Sequence, residues 1–293
     1  MTHALSSLYG LPAPAKLNLF LHVTGRRPDG MHLLQSVFVM LGLCDTIDIE
    51  RTDRDCIERA GDVIGPAEGD LCVRAAQLVK DTFGIRDGLR ITVKKRIPAG
   101  AGMGGGSSDA ATVLMALSRL FALGLSREAL IALGVRLGAD VPFFLFGQTA
   151  FAEGIGERLT PVFVPPSRYA CIWPGKGVST AAIFRSPNLT RDTKSVKIAV
   201  FSDAVHCAWP TLFGHNDLQP VAVGLEPRIA GALAMLAPCA SPRMTGSGSA
   251  VFGIVKDAAY RLPELPGGWI GFIAESLERH PLAGWLGGEA TGV

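Results

Sequence analysis

Five glycines fall within seven residues, Gly100 to Gly106, and Ser107, Ser108 and Asp109 follow at once. A strand-like run, Leu89 to Ile97, leads in, and a helix-like run, Ala110 to Phe121, leads out. Glycine admits positive φ and removes the Cβ that would hold a ligand off the backbone. Successive N–H groups can then converge on one point, beside the positive end of a helix dipole. Such a cradle suits a phosphate. A flexible linker is the competing reading, but polar surroundings do not continue. Ser107 or Ser108 is a good N-cap, and Ala110, Ala111, Leu114, Leu117 and Phe121 build a buried helix face directly after it.

Three other phosphate loops fit this stretch less well. A P-loop needs lysine after its last glycine, and here Ser107 follows Gly106. Gly100, Gly102 and Gly105 satisfy G-x-G-x-x-G, but the leading strand carries Lys94, Lys95 and Arg96, unlike a buried parallel strand. The next acidic residue at a suitable distance, Glu128, opens a helix instead of closing a strand. The glycine loop of protein kinases is excluded because no H-R-D or D-F-G sequence occurs.

The chain of 293 residues has room for one large domain or two modest ones. Its apolar content is 48%, yet its longest weakly polar runs are about half of what a helical span needs, so no membrane association is expected. The start of the chain, Met1 to Gly10, lacks the basic flank and apolar stretch of a signal peptide, which argues for a cytoplasmic location. A net charge of +2 without any basic block gives nucleic-acid binding no support. Six scattered cysteines without a C-x-x-C pair read as reduced apolar side chains.

Ala15, Leu17, Leu19, Leu21 and Val23 alternate with Lys16, Asn18, Phe20 and His22, the period of a strand with one apolar face. Arg27-Pro-Asp-Gly30 reads as a turn, Ser36–Leu43 as a second strand and Thr46–Glu50 as a third. Asp70 caps a helix over Leu71, Ala75, Leu78 and Val79, and Ser126 caps another to Leu137. Pro142 rules out a helix that begins deeper in the apolar segment Val141–Phe146. Pro161, Pro165 and Pro166 mark a boundary, giving domains at 1–162 and 163–293. Beyond it, Tyr169–Trp173, Val251–Val255 and Trp269–Ala274 read as strands. Ser179–Phe184 and Asp257–Leu262 read as short helices, with one or two more in Asp217–Leu236. Helices and strands mix without regular βαβ alternation, which favours an α+β fold with antiparallel sheets.

Pro98-Ala-Gly-Ala-Gly-Met-Gly-Gly-Gly-Ser-Ser108 closely resembles the ATP-binding motif of the GHMP kinases. Pro14-Ala-Lys-Leu-Asn18 resembles their amino-terminal motif, and Thr245-Gly-Ser-Gly-Ser-Ala-Val-Phe252 their carboxy-terminal glycine motif. Ala15–Val23 and Arg27–Ser36 narrow the likeness to the branch that phosphorylates 4-diphosphocytidyl-2-C-methyl-D-erythritol on its 2-hydroxyl, in the non-mevalonate isoprenoid pathway. Leu137–Phe143, Phe151–Glu157 and Asn216–Leu218 resemble segments of the same branch. The implied fold is the two-domain GHMP kinase fold, with an N-terminal half like ribosomal protein S5 domain 2 and a ferredoxin-like C-terminal half. The implied partners are small molecules, ATP with Mg2+ and the cytidine diphosphate alcohol, and the implied assembly is a monomer or a weak homodimer. Another GHMP kinase acting on homoserine or a sugar, and an inactive nucleotide-binding regulator, are the rival readings.

The resemblance also implies roles for individual residues. ATP binding falls to Pro98, Ala99, Gly100, Ala101, Gly102, Met103, Gly104, Gly105, Gly106, Ser107 and Ser108. By position alone Asp140 is either a cleft carboxylate or a turn cap, and a lysine at 16 is ordinarily a solvated face residue. The resemblance makes Asp140 the catalytic base and Lys16 the cation that opposes developing charge. Asn18, His32, Thr180, Gly246 and Gly248 become substrate contacts, with His32 on the cytosine. No metal-binding carboxylate stands out. Two positions depart from the branch: Met31, where tyrosine is common, and Gln219, where glutamate often follows Asn-Asp-Leu.

Overall fold

A computed structural model describes residues 5–286. The first four residues of the stretch read for a signal peptide lie outside it. Among the described residues, the strands and α-helices follow in order: β1 (Ser7–Arg26), β2 (His32–Thr52), β3 (Ile57–Gly61), α1 (Leu71–Phe83), β4 (Gly88–Lys94), α2 (Gly105–Leu120), α3 (Arg127–Val135), α4 (Val141–Phe146), β5 (Ala150–Glu153), β6 (Arg158–Pro161), β7 (Arg168–Trp173), α5 (Thr180–Arg185), α6 (Ile198–Ala208), α7 (Gln219–Leu225), α8 (Arg228–Met235), β8 (Ala240–Met244), β9 (Val251–Ile254) and β10 (Ile270–Leu277).

The second and third predicted strands are one strand. β2 pairs antiparallel with β1 along nearly all of its length. Its other edge takes β5 at Ser36–Phe38, β10 at Met40–Leu41 and β4 at Thr46–Thr52 in succession. Local sequence could not reveal this, because Cys44 and Asp45 look like a break and are instead paired with Pro14 and Ala13 of β1. β10 also pairs with β7, which leads on to β9 and β8, so a single sheet runs past the proline-marked boundary.

The pairing is antiparallel except between β3 and β4. These two flank α1 in a single βαβ unit that the sequence reading did not contain. The helix α1 starts where Asp70 accepts from the Cys72 and Val73 amides and stops at Gly84, whose φ is +67°. β1 is buried on both faces, not one. Phe20 is fully buried against Phe151, Phe201 and Phe213, with ring centroids 6.0, 5.9 and 5.3 Å away. α6, absent from the sequence reading, supplies Phe201 to this cover.

α2 is also buried almost all round, with every residue from Ser108 to Ser118 inside. It begins in the glycines themselves. Gly104 holds the N-cap position, so neither Ser107 nor Ser108 caps it. The segment Asp257–Leu262 forms no helix; one turn closes from the Tyr260 amide to the Asp257 carbonyl, and Pro263 follows too soon for a second.

Candidate active site

The glycine loop is fixed by two neighbouring inward positions of β1. The Lys16 amide donates to the Met103 carbonyl (2.9 Å), and the Asn18 amide donates to Thr245 Oγ1 (2.9 Å). One strand thus holds both glycine turns, and the turns hold each other, since the Ala250 amide donates to the Ala101 carbonyl (3.1 Å). Gly102 shows why a side chain is forbidden there. Its φ is +76°, and a Cβ would collide with the Thr245 carbonyl oxygen and sit 2.8 Å from the Gly248 nitrogen.

Two cavities lie on either side of this loop. The first, about 410 Å3, is lined by residues 98–107 together with Arg59, Asp62, Leu71 and Lys95. The second, about 590 Å3, is lined by Lys16, Asn18, Asp140, Met31, His32 and Phe184 among others. Gly102, Gly104, Ser107, Thr180 and Ser247 border both. Two cavities that adjoin along shared residues can bring two ligands against each other, as a group-transfer reaction requires.

Lys16 is buried, with a side-chain exposure of 4%, and its Nζ lies 3.5 Å from Asp140 Oδ2. The ammonium also donates to Asn18 Oδ1 and sits 5.1 Å above the Phe38 ring. Asn18 Nδ2 donates to Ser36 Oγ (2.8 Å), which donates in turn to the Phe20 carbonyl (2.6 Å). Both ends of Asn18 are therefore engaged, and it orients Lys16 as well as facing the cavity. Asp140 stands at the N-cap position of α4 but makes no side-chain capping bond, so the turn-cap reading has no bond behind it. Its carboxylate turns to the lysine.

The other predicted residues separate. Thr180 Oγ1 and Ser247 Oγ are 2.7 Å apart and close the seam between the cavities. Gly246 faces the second cavity with the other predicted substrate contacts, whereas Gly248 faces the first. Ser107 borders both, but Ser108 is fully buried, lines neither, and its hydroxyl has no partner among the described residues. Gln219 Oε1 accepts from the Met244 amide (2.8 Å), a role a glutamate would fill equally.

His32 gains two neighbours that the sequence reading did not contain. Its ring stacks on Phe184, with centroids 4.7 Å apart and planes at 28°. Arg191 Nε donates to His32 Nε2 (3.1 Å), while its other nitrogens donate to the carbonyls of Leu189, Phe184 and Ser186. A guanidinium has no acceptor, so Nε2 must be the acceptor and the ring proton must sit on Nδ1. Burial first, then the charges of Arg191 and Arg26, hold the imidazole below its ordinary pKa and hence neutral. Arg191 is far from His32 in sequence and belongs to no motif, so only the folded chain reveals it.

Residues 70–148 match the GHMP kinases N terminal domain. The chain is similar to the 4-diphosphocytidyl-2-C-methyl-D-erythritol kinase of Paraburkholderia phymatum, 49% identical over 96% of this chain and 98% of the relative. It is also similar to that of Polaromonas naphthalenivorans, 50% identical over 96% and 97%. A crystal structure of 4-(cytidine 5'-diphospho)-2C-methyl-D-erythritol kinase superposes with a TM-score of 0.74 at 32% identity, covering 92% of this chain and 98% of that one. A homoserine kinase from Cytophaga hutchinsonii, at 14% identity and a TM-score of 0.64 over 96% of both chains, shares the fold. With its two glycine turns, its lysine–aspartate pair and its near full-length likeness to these relatives, the chain belongs to the 4-diphosphocytidyl-2-C-methyl-D-erythritol kinases, within the GHMP kinase fold.

Proposed function

We infer that this kinase transfers the γ-phosphoryl group of ATP to the 2-hydroxyl of 4-diphosphocytidyl-2-C-methyl-D-erythritol. One observation carries the reading: the Lys16–Asp140 pair sits in the second cavity, against the glycine wall that it shares with the first. Phosphoryl transfer needs alignment, charge stabilisation and a destination for the hydroxyl proton. The first cavity receives ATP, with main-chain amides of residues 98–107 on its phosphates. The acceptor enters the second. Asp140 takes the hydroxyl proton, and the Lys16 ammonium opposes the negative charge that builds on the transferring group. Asn18 keeps the ammonium in place.

In this reading the triphosphate is bound together with Mg2+, which would supply neutralisation of phosphate charge. No cluster of three His, Cys, Asp or Glu able to hold a metal occurs among the described residues, which suits an ion held mainly by phosphates and water. The Ser107 hydroxyl, at the border of both cavities, is the protein group that fits it. The division at 1–162 and 163–293 accompanies this reading, with β1, β2 and the loop from the first part and Thr180, Arg191 and Thr245–Gly248 from the second. We take the working location to be the cytoplasm and the assembly to be a monomer or a weak homodimer.

At the far end of the acceptor cavity, His32 presents an Nδ1–H donor for the base, and Phe184 supplies the aromatic surface that Met31 lacks. Arg191→Met should release the tautomer and raise the acceptor KM about tenfold, one lost hydrogen bond to a base edge, with the ATP KM unchanged. Steady-state kinetics at fixed pH check this; an unchanged acceptor KM removes Arg191 from base recognition.

The reading as a whole is tested by ADP release with the cytidine diphosphate alcohol, homoserine and galactose as acceptors. Turnover with the first alone is expected. Equal turnover on homoserine or galactose would point to a different GHMP kinase, and no turnover on any acceptor to a nucleotide-binding regulator.

A further inference from the structure

Beneath the glycine loop lies a charged group that the phosphoryl-transfer chemistry does not use. Lys95 Nζ, from the segment between β4 and the loop, donates to Asp109 Oδ2 (2.7 Å) on α2 and to Asp45 Oδ2 on β2. All three side chains are largely buried. Asp45 Oδ1 accepts from the backbone amides of Arg96 and Ile97 (2.5 and 2.8 Å), so both of its oxygens are engaged. Asp109 differs. Its Oδ1 is buried and has no hydrogen-bond partner among the described residues, although Asp109 and Lys95 both line the nucleotide cavity. The lysine head lies directly under the loop: a Cβ on Gly105 would be 3.3 Å from Lys95 Nζ.

This trio joins the strand end that enters the loop to the helix start that leaves it. It also contains two carboxylates for one ammonium. With both ionised, a net negative charge lies under the site of an anionic triphosphate, in a setting where screening is weak. With one proton on Asp109 the trio is neutral and the orphan oxygen is a hydroxyl. We propose that Asp109 is a positioning residue for the nucleotide, which in its protonated form ties β4 to α2 through Lys95 and Asp45 and lets the loop close on ATP without charge repulsion from below. The proposal rests on the first cavity being the ATP site.

The surroundings agree with a proton at this place. Burial, opposed by Lys95 and reinforced by the Asp45 charge, raises Asp109 to about 7. Charged and titratable groups around the trio are Arg59 on β3, Asp70 and Cys72 at the start of α1, and Asp62 after β3, whose Oδ2 accepts from the Lys95 amide (2.8 Å) and adds a further negative charge on this side. Arg59 and Asp70 pair with each other at 2.8 Å and largely cancel. Burial first, then the Asp109 and Asp70 charges, pushes the Cys72 thiol well up, so it stays neutral and adds no charge. Asp109, whose Oδ1 is the oxygen left without a partner, is therefore the member placed to carry the proton, and an incoming polyanion favours that protonated state.

The test is ATP binding to the whole enzyme, by calorimetry with Mg2+ saturating, in buffers of different ionisation heat. The wild type should take up a fraction of a proton per ATP near neutral pH, and its affinity should fall several-fold between about pH 6.5 and about pH 8.5. Asp109→Asn, a neutral isostere, should abolish most of that uptake and bind ATP several-fold more tightly than wild type at the higher pH. The difference between the two proteins cancels the titration of ATP itself. Proton release by the wild type would place a cation instead of a proton on Oδ1, and no proton exchange would leave Asp109 without this role; either overturns the proposal. Uptake that persists in Asp109→Asn also overturns it. If that variant does not fold, the sign of proton exchange in the wild type still decides. Failure to bind ATP at all would instead overturn the assignment of the cavity.

Discussion

Asp140→Asn is expected to lower kcat by about a hundredfold to ten-thousandfold, the span usual for loss of a general base. ATP affinity should stay within about twofold, because Asp140 faces the second cavity and lines no part of the first. Asparagine keeps the shape and can still meet the Lys16 ammonium at its oxygen, so the fold has no reason to suffer. What disappears is a site that can accept the hydroxyl proton. Rapid-quench kinetics with labelled ATP, beside a nucleotide-binding titration, separate the two quantities. Turnover within about tenfold of wild type would mean that the proton leaves by another route and that Asp140 only steadies Lys16.

Gly104→Val should be as damaging, through geometry. Gly104 has φ +72°, and a Cβ there would lie 3.0 Å from both Lys16 Cγ and the Phe144 ring. A branched residue is strained at that φ by about 1–3 kcal/mol before any contact is counted. Its methyls then press on the stem of Lys16, which is packed too tightly to move aside. The ATP KM should rise and kcat should fall, each more than about tenfold, because one residue supports both the phosphate wall and the lysine. Gly106 is the control. It is exposed, a Cβ there would meet only Leu71 Cδ1 at 3.8 Å, and its φ is ordinary, so Gly106→Ala should change both parameters little. Equal damage at both positions would show that backbone flexibility, not the shape of the wall, was lost.

What could be read before folding was what short-range physics determines. The capping aspartate at 70, the capping serine at 126, and the glycine loop between a strand and a helix all act within a few residues, and they stand where the pattern put them. The pairing of Lys16 with Asp140 was reached through resemblance, since nothing local links residues so far apart. Long-range pairing was invisible. β2 looked broken at Cys44–Asp45, but β1 pairs with it across those two residues, and three partners share its other edge on either side. α6 gave no start signal, because Lys197 at its N-cap makes no side-chain capping bond, although Phe201 and Val205 have helical spacing. Ser107 and Ser108 looked like caps because serine so often is one. Here the loop supplies positive φ one residue before the helix, and Gly104 takes the place. Arg191 carried no mark at all; three of its hydrogen bonds lie within residues 184–191, and the fourth, to His32, exists only once that segment folds back on β2.

The hydrogen bonds from Lys16 and Asn18 to the two glycine turns have a consequence for accuracy. Side chains in a strand change sides with every residue, so a slip of β1 by one place would turn Lys16 away from Asp140 and strip both turns of their amide donors together. β1 works as a ruler for the two turns: an error in their spacing cannot arise on one side alone, because the interval between them is set by the pitch of a single extended chain.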